Sequence, residues 1–115
     1  MASQDITKRL VQIDLDKERN LYYGNRAFLY LTDKYENLND VITIITTQNQ
    51  AINKSMITAL LDLVYAGLIF EDRNLKLDDM IDWFDFADLG TVIEKVAQAW
   101  RLAMPEAKEN PTLSA

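Results

Sequence analysis

Apolar and polar positions alternate with a period of two only near the start of the chain. In "LVQIDL", Leu10, Gln12 and Asp14 stand against Val11, Ile13 and Leu15, the pattern of a half-buried strand. Polar "DKERN" reads as a turn. "LYYG" then supplies Leu21, Tyr22 and Tyr23 as strand residues, and Gly24 closes the strand. Together these predict a β-hairpin over residues 6–24. A two-stranded hairpin is marginal alone, so it must pack on the rest of the chain or pair with another chain.

After Gly24 the period becomes helical. Asn25 is placed as the N-cap of a helix over "RAFLYLTDKYE", with Phe28, Leu31 and Tyr35 on one face. "NLNDVITIITTQNQ" keeps helical spacing at Leu38, Val41, Ile42 and Ile45, yet its β-branched run also suits a strand. The spacing favours a short helix capped by Asn39. The longest helix is expected from Ala51 to Ile69. Its stripe of Ile52, Met56, Leu60, Leu63 and Gly67 is widened by Ala59, Val64 and Leu68, as in the central helix of a bundle. Gly67 costs that helix about 1 kcal/mol against alanine, which close approach of another backbone would offset.

"EDRN" reads as a loop. A short helix follows over Leu77–Phe84, with Met80, Ile81 and Phe84 inward and Asp78 and Asp79 in its first turn. Asp88 is placed as the cap of a last helix carrying Leu89, Val92, Ile93, Val96, Trp100 and Ala103 on one stripe, ended by Pro105. The fold class is therefore mostly α: a small helical bundle preceded by an N-terminal β-hairpin, with an α+β arrangement as the alternative. Residues 1–104 read as one domain and residues 105–115 as a flexible tail.

Composition narrows the chemistry. The 115 residues include no cysteine and no histidine, which removes thiolate metal sites, Ser-His and Cys-His nucleophile pairs, and the commonest general base. The net charge is −6. Residues 1–36 balance, so the excess lies in residues 37–115, and a phosphate backbone would be repelled. No apolar run of about 18 residues is present, so no membrane span is expected. The start, "MASQDITKRL", lacks the long apolar run of a signal peptide.

Residues 72–86 hold the candidate chemistry. Asp72 and Asn74 fall at calcium-loop positions, but Lys76 and Leu77 stand where an oxygen ligand and a glycine are needed. Asp78 and Asp82 are four residues apart on the expected helix, which suits a solvated face better than an acid/base pair. Trp83, Phe84 and Phe86 stand among aspartates. They either form a protein-binding patch, with Trp83 the outermost, or pack beneath the last helix. Catalytic residues, metal and cofactors are expected to be absent.

The order of elements resembles a known family. A strand pair and helix in "ITKRLVQIDLDKERNLYYGNRAFLYLTDKYE" lead to "LLDLVYAGLIFEDRNLKLDDMIDWFD", and an amphipathic helix follows. This is similar to the tail assembly chaperones of long-tailed bacteriophages and prophages, over residues 6–104 and most specifically over Tyr65–Asp79. The family often has tryptophan where Tyr65 stands and a threonine cap where Lys76 stands. The resemblance implies a non-enzymatic protein of the host cytoplasm, absent from the mature virion, that binds the tape measure protein and keeps it soluble before the tail tube forms around it.

On that reading Leu68, Phe70, Trp83, Phe86 and Trp100 are the partner-binding candidates. Self-association is expected through the hairpin edge or the face around Trp83. The alternative is an acidic phage regulatory or anti-host protein acting by protein binding or nucleic-acid mimicry. Its acids would need phosphate-like spacing, and here many are scattered among aromatics.

Overall fold

The period-two segment forms a hairpin and the period-3.6 segments form helices. The computed structural model describes residues 6–46 and 52–104. A 3-10 turn, Ile6–Arg9, leads into strands β1 (Val11–Asp14) and β2 (Glu18–Leu21). Helices α1 (Asn25–Thr32), α2 (Leu38–Thr46), α3 (Lys54–Leu68), α4 (Leu77–Met80) and α5 (Leu89–Ala103) follow. The fold is mostly α with an N-terminal β-hairpin. The expected tail, 105–115, and the proposed helix stop at Pro105 lie outside the described residues.

The hairpin pairs Val11 with Leu21 and Ile13 with Arg19, and all four side chains are buried on its inner face. The second strand starts earlier than the polar run suggested. Arg19 explains the shift. Its Nε and one terminal nitrogen donate to the two Asp16 oxygens at 2.6 and 2.8 Å, a bidentate pairing that closes the turn. The turn is thus cut to Leu15–Lys17, and Arg19 becomes a strand residue facing inward.

Helix α3 packs against α1, α2, α4, α5 and β2, so its apolar stripe is wide. Leu60, Leu63, Val64 and Leu68 are essentially inaccessible to solvent. Each such side chain contributes about 1.5–3 kcal/mol relative to exposure. The helix starts later than expected. The Asn53 side chain accepts from the Met56 N–H at 3.0 Å, a cap that stabilises the start by about 1 kcal/mol. Ile52 therefore precedes the helix and is exposed rather than part of its stripe.

Other helix starts also differ. Gly24, not Asn25, occupies the N-cap of α1, without a side-chain bond. Asn37 rather than Asn39 caps α2: its side chain accepts from the Asn39 N–H at 2.9 Å. Helix α1 ends at Thr32, so Tyr35 packs from the following turn. Asp88 stands at the N-cap of α5 but makes no capping bond with its side chain.

Gly67 is where another backbone comes close. The Tyr22 N–H donates to the Gly67 carbonyl at 2.9 Å. A methyl built on Gly67 would lie 2.7 Å from Leu21 Cδ2 and 3.1 Å from Tyr23 Cζ, and both neighbours are buried. Gly67→Ala gains about 1 kcal/mol of helix propensity but overpacks a filled site, which costs about 1–3 kcal/mol. A net loss of about 1 kcal/mol is expected, read as a lower urea midpoint. A raised midpoint would mean that the neighbours yield freely.

Candidate interaction surface

The acidic-aromatic stretch is not one helix. Helix α4 stops after a single turn at Met80, which is fully buried and anchors it. The chain then opens, because Asp85 and Asp88 offer the backbone other partners. Asp85 Oδ1 accepts from the Ala87 N–H at 3.1 Å, and Asp88 Oδ2 accepts from the Asp85 N–H at 3.3 Å. This reciprocal arrangement starts the 3-10 turn Phe86–Asp88. Ile81, expected inside, is half exposed at 50%. Asp82 lies past the end of α4, so it does not share a helix face with Asp78.

The opened segment runs beside α3 and leaves a cleft of about 180 Å³. Ile57 and Leu61 line one wall from α3, and Ile81, Phe84 and Leu89 line the other. Exposed Asp82 and Asp85 stand in the same 81–85 segment, and Asp85 lines the cleft itself. An apolar floor with a carboxylate at its rim can take the apolar face of a helix whose flank is basic.

Trp83 is neither fully exposed nor core. It is half-buried, with the Arg19 guanidinium carbon 4.5 Å from its ring centroid, a stabilising cation–π contact. The same guanidinium reaches Asp72 at 3.3 Å. Arg19 thus ties the hairpin to the loop after α3 and to the segment after α4. It also holds the Asp16 carboxyl below the usual carboxylate range, chiefly through their hydrogen bond. Tyr65 donates to the Leu75 carbonyl at 3.0 Å and meets the Tyr30 ring at 4.9 Å.

The five candidate contacts are not brought together. Leu68 is 1% exposed and Trp100 5%. Both belong to the core, which corrects their placement on a surface. Phe70 is exposed and packs edge-on against Tyr22 at 4.8 Å, lining a cleft with Arg26 and Arg73. That cleft shares no lining residue with the one that includes Trp83. The Phe86 side chain lies outside what is described.

Asp62 escaped the sequence reading. This carboxylate sits in the middle of α3 and is 2% exposed. It accepts from Tyr30 Oη at 2.9 Å and Tyr35 Oη at 2.6 Å. One signal was available: a lone acid between Leu61 and Leu63 in an otherwise apolar stretch. Among the described residues no buried side-chain nitrogen or oxygen lacks a partner, and no cluster of three acids could hold a metal ion. No described helix is long and apolar enough to cross a membrane. Comparison with protein-family models, with curated proteins and with solved structures returns no match.

Proposed function

We propose that this chain is a tail assembly chaperone, an interaction protein that holds an apolar helix face of the tape measure protein before the tail tube encloses it. The supporting observation is the acid-rimmed cleft of Ile57, Leu61, Ile81, Phe84 and Leu89. The resemblance over Tyr65–Asp79 supplies the identity of the partner. The cleft supplies the mode: apolar side chains for contact, Asp82 and Asp85 for orientation and solubility. The net charge of −6 favours solubility in a protein that presents such contacts.

Self-association belongs to the same proposal. Leu29 and Phe70 are exposed and line adjoining clefts that share Arg26 and Arg73. The acids around Ile81 on a second copy complement those arginines, so one copy can shield the cleft of another until the partner arrives.

The test is co-expression with the long, helix-rich tape measure protein encoded by the same phage or prophage. A soluble complex is expected. Ile81→Asp should weaken it at least about tenfold, as for a central apolar contact, while the melting temperature of the free chaperone stays nearly constant because Ile81 is half exposed. Light scattering on the free protein at high micromolar concentration should show more than a monomer. Failure to recover a complex, or a complex indifferent to Ile81→Asp, would count against the proposal.

A further inference from the structure

The outer strands of a sheet leave backbone groups unpaired unless something covers them. This hairpin has two edges, and they are treated differently. The β2 edge is partly covered, at and just beyond its C-terminal end. Tyr22 N–H donates to the Gly67 carbonyl at 2.9 Å, and Asn20 N–H donates to Glu71 Oε1 at 3.3 Å. The Asn20 amide also donates to the second Glu71 oxygen at 3.1 Å.

Among the described residues the β1 edge is open. Leu15 N–H donates to the Lys17 carbonyl, and bonded and non-bonded pairs alternate along an antiparallel ladder. The backbone groups of Val11, Ile13 and Leu15 therefore point to β2, while those of Gln12 and Asp14 point away. Neither Gln12 nor Asp14 has a backbone partner on that side among the described residues. Both residues are exposed.

A groove of about 600 Å³ runs between this edge and α5. Half-buried Trp83 gives it apolar surface, and Asp14, Asp88 and Lys95 stand along it. The outward N–H and C=O groups of Gln12 and Asp14 stand at this edge, and an extended chain can pair them where a helix cannot. About five extended residues span roughly 17 Å, the reach of β1 with its flanks.

We propose that the β1 edge binds an extended segment of another protein as a third strand, with an apolar side chain against Trp83 and a basic one toward Asp14 and Asp88. Charge selects this occupant over a second β1. Two carboxylates and one ammonium line the groove, and a second β1 would bring its own Asp14 against them. A basic strand has no such conflict. The site is separate from the cleft beside α3 and has a different occupant, so it does not depend on the tape measure reading.

The experiment uses the full chain, isotope-labelled, titrated with a capped peptide of about six residues that alternates valine and lysine. The amides of Gln12 and Asp14 and the Trp83 indole are expected to shift, and the two amides to gain protection from exchange. N-methylation of alternate peptide nitrogens should weaken binding at least about tenfold, because it removes the bonds to the edge. Glutamate in place of lysine should weaken it as well.

In the protein, Asp14→Lys should reduce affinity without disturbing the ladder, since its side chain is exposed. Gln12→Pro removes one outward N–H. If that variant fails to fold, Asp14→Lys and the methylated peptide still decide the matter. The proposal is overturned if the methylated peptide binds equally well, if the shifts map to the α3 cleft instead, if Asp14→Lys has no effect, or if the edge is occupied by β1 of a second copy.

Discussion

Trp100→Ala is expected to destabilise the protein by about 3–5 kcal/mol, the range for truncating a buried large aromatic. Trp100 is 95% removed from solvent. Its ring meets Tyr23 edge-on at 5.3 Å and Phe28 at 5.7 Å. Such pairs add about 0.5–1.5 kcal/mol each beyond area burial. They join the chain after β2, helix α1 and helix α5, so the cavity would lie where three segments meet. A domain of this size has about 5–15 kcal/mol in all, and each kcal/mol moves the midpoint by about 4–8 °C. A fall of at least about 12 °C is therefore expected on that scale. Trp100→Phe should recover part of it. A midpoint within a few degrees of the parent would mean that Trp100 is not the core residue it is taken to be. The result also bears on function: any loss of partner binding in Trp100→Ala would report unfolding rather than a lost contact.

The long elements were legible because their apolar spacing repeats over several turns. Leu60, Leu63 and Gly67 in α3, and Leu89, Val92, Val96 and Trp100 in α5, lie on the expected faces and are buried. Helix ends were harder to read, since they turn on single hydrogen bonds. Asn37 and Asn39 differ by two residues, and only geometry chooses between them. Helix α4 illustrates the same competition. Periodicity carries it to Phe84, yet the turn made by Asp85 and Asp88 ends it early and leaves Ile81 in solvent.

The candidate interaction surface was only partly legible. Spacing identifies the apolar side of a helix but not whether a neighbour covers it. Leu68 and Trp100 are covered, while Ile57, Leu61 and Phe84 remain partly open. Arg19 could not be read from its neighbourhood. A charge in a polar run suggests a turn, and the partners that draw it inward, Asp72 and Trp83, are more than fifty residues away. The open β1 edge was anticipated in kind. Its asymmetry was not, because Gly67 and Glu71 reach β2 only through the tertiary fold.

The double variant Tyr30→Phe/Tyr35→Phe is expected to cost about 3 kcal/mol at neutral pH, because it leaves the Asp62 carboxylate buried without its hydroxyl partners. Removing the partners of a buried charge costs several kcal/mol, whereas replacing the charge itself is often tolerated. Asp62→Leu should therefore cost less, since the half-buried phenols can turn to water. Alkaline pH gives an independent check. Burial first, and then the hydrogen bond and charge of Asp62, push the ionisation of both phenols upward. An unfolded tyrosine ionises near pH 10. A raised folded value means that the stabilisation is complete below about pH 10 and is lost as pH rises above it. The double variant has no phenol at these positions and so lacks this part of the loss. The stability gap between parent and variant should be constant up to about pH 9 and narrow above pH 10. A gap unchanged to about pH 11 would show that these hydroxyls do not sustain the carboxylate, and Asp62 would then have to be held by the helix packing alone.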